Sequence, residues 1–274
     1  MPVDLHVHTT ASDGVCTPSE VVAESLALGL SAIAITDHDS VAGVAEALEA
    51  ARGTVLTVIP GVELSVLGPD GSDAHLLGYL IDHTSDELVQ ILDTLRDERQ
   101  ARAMLMIAKL REAGHPVEFA HVERHSGNGA VGRVHVARAL VDSGSVDSIE
   151  QAFAELIGRD GPFYVRKSTL DPAEALAVIH RAGGVAVLAH PGVSGEGALA
   201  SLIEAGLDGI EAFHAEHSEV QQRHFAGIAR REGLLVTGGS DFHGPGMRSA
   251  LLGAGNCPPD AVEALRERAR ILNP

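Results

Sequence analysis

The chain has 274 residues, of which 45% are hydrophobic but only 3% aromatic and none Trp, and its formal charge is -18. That length accommodates one large α/β domain, alone or with a smaller insertion, on a core of Ala, Val, Leu and Ile. The acidic balance and the scarcity of rings argue against a surface for duplex DNA or a base-stacking platform, and Cys16 and Cys257 are too few for a disulfide framework.

No basic segment followed by an apolar run opens the chain and no stretch approaches the length of a membrane span, so a cytoplasmic protein without membrane contact is expected. Short apolar runs alternate with helical patterns: VDLHVH, PSEVVAESLALGL, SAIAITDH, VAGVAEALEAAR, TVLTVIPGVELSV and AHLLGYLI. This rhythm predicts βα units around a mostly parallel sheet or barrel. It breaks after Ile81. Residues 85–114 read as a long helix, with Ser85 as N-cap, acids in the first turn and Gly114 as the stop. GRVHVARALVDSG and SIEQAFAELIG are further helical patterns with no strand between them, which predicts a small helical insertion, a lid, over 99–165. Barrel segments 1–98 and 166–274 flank it. The α/β rhythm returns with DPAEALAVIHRAGG, GVAVLAHP, GALASLIEAGL, DGIEAFH, SEVQQRHFAGIARREG and LLVTGGSDFH, and PDAVEALRERAR is the expected last helix.

The unusual residues fall on this rhythm. HVH, TDH, GVEL, AHLLGY, AHP and SDFH each lie at or just past an apolar run, and in parallel α/β sheets the C-terminal strand ends share one face. A strand also turns His6 and His8 the same way. Each motif alone has a plain explanation: a turn cap for Asp37, a strand stop for Pro191, a hydrogen-bonded core position for a single His. Together at strand ends they form a pocket whose polar groups would cost free energy without compensation, and bound metal supplies it. Imidazole with carboxylate and no thiolate suits Zn, Mn or Fe.

In order, DLHVHTTASDG, ITDHD, GVELS, HLLGY, LAHP and GSDFH resemble the motifs of the polymerase and histidinol phosphatase (PHP) superfamily, metal-dependent phosphoesterases on a distorted (β/α)7 TIM-like barrel. The resemblance spans residues 1 to about 85 and about 170 to 255. It implies a trinuclear site with up to three divalent ions per chain. His6, His8, Glu63 and Asp241 would hold one ion, Asp13, His38 and His243 a second, and Glu63, His75 and His190 a third. Asp13, Glu63 and Asp241 also count as catalytic. Some members carry His where Asp13 stands, and the carboxylate shifts preference toward harder ions, so Mn2+ is expected ahead of Zn2+, Fe2+ or Mg2+. Such ions outweigh the three carboxylates and leave a cationic pocket in an acidic protein, suited to phosphate and to attack by a metal-activated hydroxide.

Arg133, in a glycine-bearing loop entering a helix, suits a phosphate oxygen, with His135 as companion in a GRxHxA segment that meets substrate in the subgroup this chain resembles. His214 and His217 in EAFHAEHS are candidates for contact with phosphate or ribose, either one also for protonating the leaving oxygen as general acid, with His217 counted as catalytic, and Arg248 is a further anion contact. The resemblance points to removal of the 3′-phosphate from nucleoside 3′,5′-bisphosphates. Trimming of short RNA from a 5′ end, histidinol-phosphate hydrolysis and a metal-stabilised structural module are the alternatives. The expected partner is a small nucleotide or a short RNA 5′ end, and the chain is expected to be a monomer.

Overall fold

A computed structural model of the chain describes residues 2–68, 71–127, 129–167, 169–247 and 251–273. The apolar runs become strands β1 (Val3–Val7), β2 (Ala32–Ile35), β3 (Thr57–Leu67), β4 (Asp73–Tyr79), β5 (Val185–Leu188), β6 (Gly209–His214) and β7 (Leu235–Gly239), paired in sequence order in one sheet. β1, β2 and β5 are buried at every position, as strands with helices outside and side chains inside must be. At the open edges of this sheet Val7, the last residue of β1, bridges Phe242 just past β7 in parallel, and His8 N–H donates to the Phe242 carbonyl at 2.9 Å. The sheet thereby curls into a nearly closed, distorted seven-stranded TIM-like barrel.

One strand departs from the expected repeat. β4 runs antiparallel to both β3 and β5. Only residues 68–72 separate β3 from β4, too few for the crossover that a parallel pair needs, and Gly68 N–H donates to the Ser72 carbonyl at 2.8 Å.

The helices are α1 (Pro18–Ala27), α2 (Val44–Ala50), α3 (Asp86–Glu112), α4 (Phe119–Ser126), α5 (Arg133–Asp142), α6 (Ile149–Gln151) running into a π-helical turn (Ala152–Ile157), α7 (Pro172–Arg181), α8 (Leu199–Glu204), α9 (Glu219–Glu232) and α10 (Ala261–Leu272). The start of α3 is set by the Ser85 side chain, which accepts from Leu88 N–H, and Gly114 just past its end takes φ +93°. Leu88, Leu92 and Leu95 of α3 pack in the outer barrel core with Leu176 and Ile179 of α7. Ala103, Met106, Ile107 and Leu110 of the same helix instead join a separate core with Val122, Val136 and Leu140. The changeover between the cores thus falls inside one continuous helix. Among the described residues no helix is long and apolar enough to cross a membrane.

Inside the barrel, Leu5, Ile59, Leu77, Tyr79 and Val187 form one cluster with Leu265 of α10, and the Tyr79 hydroxyl donates to the Leu5 carbonyl at 2.8 Å. Closure brings β7 hard against β1: a Cβ on Gly239 would stand 2.3 Å from His6 Cβ and 2.6 Å from His6 N. Gly239→Ala is therefore expected to destabilise the fold by about 1–3 kcal/mol through overpacking. A urea midpoint equal to that of the parent chain would contradict this reading of the closure.

Candidate metal centre

Glu63, near the middle of β3, is fully buried, and imidazoles from other strands converge on its two oxygens. Oε2 lies 3.3 Å from His6 Nε2, 3.2 Å from His8 Nε2 and 3.0 Å from His38 Nδ1. Oε1 lies 2.7 Å from His75 Nδ1 and 3.2 Å from His190 Nε2. His75 sits near the start of β4, paired opposite Ser65, and only the reversal of that strand brings this start among the C-terminal ends of its neighbours. Asp241, just after β7, places Oδ1 3.0 Å from His8 Nε2 and 3.5 Å from His6 Nε2. Asp13 extends the cluster outward, with Oδ1 3.2 Å from His243 Nε2 and Oδ2 4.0 Å from His38 Nε2.

Backbone strain concentrates at this face. His190 and Asp241 take φ +27° and +55°, in the left-handed region that costs a side-chain-bearing residue about 1–3 kcal/mol. Surrounding bonds hold these positions. Glu211 of β6, fully buried, accepts His190 N–H on Oε2 at 2.8 Å and sets Oε1 3.1 Å from His6 Nδ1. Asp37 accepts from Thr9 N–H at 2.8 Å and from the Ser12 hydroxyl at 2.6 Å, which pins the loop carrying Asp13. Asp4 accepts Ser240 N–H at 2.9 Å and Gly253 N–H at 2.7 Å, fixing the backbone beside Asp241.

The electrostatics call for positive charge inside the ring. Burial pushes the Glu63 carboxyl up, but the charges of His38, His75 and His6 and the His190 hydrogen bond outweigh it and hold Glu63 well below the usual carboxylate range. Burial likewise disfavours charge on His8, yet Asp241 and Glu63 raise it to about 10. Where such carboxylate help is smaller, desolvation wins: burial, with the Lys167 charge, pulls His75 down to about 4.

Several nitrogens of the ring are buried without a hydrogen-bond partner: His8 Nε2, His38 Nδ1, His75 Nδ1 and His243 Nε2. Each nevertheless faces a carboxylate oxygen, at 3.0, 3.0, 2.7 and 3.2 Å respectively. Close lone-pair donors without hydrogen-bonding geometry fit shared divalent cations, and they would be costly otherwise. The donor atoms fall into overlapping groups whose members lie within 4.8 Å of one another: His6, His8, Glu63 and Asp241; His8, Asp13, His38 and His243; and His38, Glu63 and His75.

A pocket of about 260 Å³ opens onto this centre at Asp13, His38, His75 and His243, and its other side carries Arg99, Arg102, Arg133 and Lys167. Arg133 lines this wall, its guanidinium 5.5 Å from the centre of the Phe153 ring and 5.6 Å from that of Tyr164. His214 is buried, accepts Glu216 N–H on Nδ1, and leaves Nε2 3.7 Å from Asp241 Oδ2 with no hydrogen-bond partner.

Two expected contacts are corrected by the geometry. His135 is fully buried behind the pocket wall: its Nδ1 accepts Gly132 N–H at 3.0 Å, which shapes the turn that presents Arg133, and its Nε2 is buried with no hydrogen-bond partner. His217 has both ring nitrogens engaged, Nδ1 donating to the Ala212 carbonyl at 3.0 Å and Nε2 accepting Gly192 N–H at 3.0 Å. Neither is left to protonate a leaving oxygen, and the ring braces the loop that follows His190. Arg248 lies outside the described residues.

Sequence reasoning did not single out Glu211, Arg99, Arg102 or Lys167. A carboxylate inside the apolar run DGIEAFH is a visible signal for Glu211. Arg99 and Arg102 share one face of α3 at helical spacing, but nothing in the sequence says what that face meets.

The PHP domain family matches residues 4–158. Over 99% of its length and 98% of the relative, the chain is 37% identical to a 3′,5′-nucleoside bisphosphate phosphatase of Chromobacterium violaceum. It is 36% identical to the 5′-3′ exoribonuclease Rnm of Escherichia coli, covering 88% of this chain and 85% of that one. A Bifidobacterium adolescentis structure assigned as a metal-dependent phosphoesterase superposes with a TM-score of 0.89 at 32% identity, covering 98% of both chains. The chain belongs to the PHP domain family and is a metal-dependent phosphoesterase.

Proposed function

We propose that the protein removes the 3′-phosphate from nucleoside 3′,5′-bisphosphates, giving a 5′-mononucleotide and phosphate. The observation that carries this reading is the shared pocket: a carboxylate and imidazole ring at one side and a cationic wall at the other, in a volume of about 260 Å³ suited to a small nucleotide. Likeness over nearly the whole chain to the Chromobacterium violaceum phosphatase supports the same substrate class.

His6, His8, Glu63 and Asp241 would hold one divalent ion, Asp13, His38 and His243 a second, and His75 and His190 a third shared with Glu63. Mn2+ is the expected ion, given the oxygen donor at Asp13. When bound, the ions would supply Lewis acidity, polarising a phosphoryl oxygen and acidifying a water. The remaining work belongs to the chain. Glu211 orients His6 and the His190 backbone together, so the geometry of two donors depends on one carboxylate. Arg133, stacked near Phe153 and Tyr164, offers a preoriented fork for phosphate oxygens. His214 Nε2 points toward Asp241 and is the imidazole placed to donate to or accept from a group in the centre, in place of His217. The substrate is expected to bind a monomer in the cytoplasm.

Mn2+-loaded protein should release phosphate selectively from adenosine 3′,5′-bisphosphate when compared with AMP, histidinol phosphate and a 5′-phosphorylated RNA dinucleotide, with mass spectrometry identifying the products. Preference for the dinucleotide would favour the exoribonuclease reading instead. His8→Ala and Asp241→Ala should each reduce phosphate release to background, and near-normal turnover in either would sink the ligand assignment. Glu211→Gln keeps one acceptor but not two, and should weaken Mn2+ affinity, read by calorimetry, by about 10–100-fold; unchanged affinity would remove Glu211 from the positioning role.

A further inference from the structure

The ion positions do not depend on the same parts of the fold. In the first, His6 rides on β1 and Glu63 on β3, so sheet hydrogen bonds fix two of its donors, and Asp4 and Glu211 hold the backbone beside Asp241 and the His6 ring. Asp13, His38 and His243, the donors of the second, all lie outside the strands, where other restraints must keep the geometry.

The helical lobe that runs from α3 through α6 around its own core supplies a restraint beside each of these three. Beside Asp13, Ala130 N–H donates to the Ala11 carbonyl at 3.1 Å. Gly129 approaches the same loop so closely that a Cβ on it would stand 2.5 Å from the Thr10 carbonyl oxygen and 3.0 Å from that of Ser12. Gly132, the N-cap of α5, faces Asp13 itself, and a Cβ there would stand 3.9 Å from Oδ2. Beside His38, buried Asp39 takes φ +47° and is held by Arg99, whose Nε donates to it at 2.6 Å and whose Nη2 donates to the Ser65 hydroxyl at 3.1 Å. Past His243, Arg138 of α5 donates to Met247 Sδ at 2.8 Å.

We infer that the lobe is the positioning element of the second ion: Gly129 and Arg99 act through Asp13 and His38, so that this position is complete only when the lobe is seated, whereas the barrel itself assembles the first. This rests on the ligand assignment above. Arg99 separates placement from charge. By Coulomb's law alone, loss of a cation beside the ring strengthens Mn2+ binding, because a repulsion disappears and Asp39 is left unopposed. Loss of placement weakens it.

The test is equilibrium dialysis of the full chain against stepped free Mn2+, with bound metal counted by mass spectrometry. In Gly129→Ala and in Arg99→Met, one Mn2+ equivalent should weaken by about 10–100-fold while the others stay within about threefold. Added to Asp13→Ala, which removes a donor of that position, Gly129→Ala should cause no further loss, because both act on one ion. Should Gly129→Ala fail to fold, Arg99→Met decides alone. Equal weakening of all equivalents in a folded variant, no weakening in either, tighter binding in Arg99→Met, or a further full-sized loss in the double variant overturns the inference. An Asp13→Ala chain that binds Mn2+ as the parent does refutes the ligand assignment and the inference with it. Selective loss of one equivalent in a protein that releases no phosphate from the bisphosphate refutes the hydrolytic reading and leaves the placement standing.

Discussion

The site depends on one buried carboxylate. Glu63 has no exposed surface, and its two oxygens are contacted by His6, His8 and His38 on one side and by His75 and His190 on the other. Burying an ionised carboxylate among imidazoles is tolerable only when positive charge is shared across the group. The ring is thus organised around a charge that the apolar barrel could not otherwise hold.

The fold provides the two conditions this arrangement needs. Parallel strands bring the ends of β1, β2, β3, β5 and β7 to one face, and the reversed β4 adds His75 from its start instead of its end. The second condition is rigidity. Asp4, Asp37 and Glu211 bind backbone N–H groups beside Asp241, in the Asp13 loop and at His190, so that strained or irregular segments are fixed before any ligand arrives. α3 then links centre and wall: Arg99 is tied to Asp39 in the loop after β2, and one turn further on Arg102 belongs to the helical segment.

Much of this was legible in the sequence, for definable reasons. Metal-type residues next to apolar runs survive as local motifs, so His6, His8, Asp13, His38, Glu63, His75, His190, Asp241 and His243 could be named and are found clustered. The long α3 was legible because its cap and stop are local chemistry. Strand direction was not, because a run such as AHLLGY reads alike in either sense, and only the few residues between β3 and β4 require the reversal. Ring-nitrogen assignments were equally hidden. His135 and His217 have the right residue type near the right place, but His135 Nδ1 is taken by Gly132 and the two His217 nitrogens by Ala212 and Gly192, which no spacing rule reveals. The cationic wall combines α3, α5 and the segment after Val165, and only the tertiary fold brings those together.

The central claim, that the Glu63 ring is a shared site for several divalent ions, is tested most directly by anomalous diffraction from crystals of the Mn2+-loaded protein. The expected result is more than one anomalous peak inside the ring, with Glu63 between peaks bounded by His6, His8 and Asp241 and by His75 and His190, and another beside Asp13, His38 and His243. A ring without anomalous density in crystals grown at saturating Mn2+, or ions held only by groups outside it, would contradict the account.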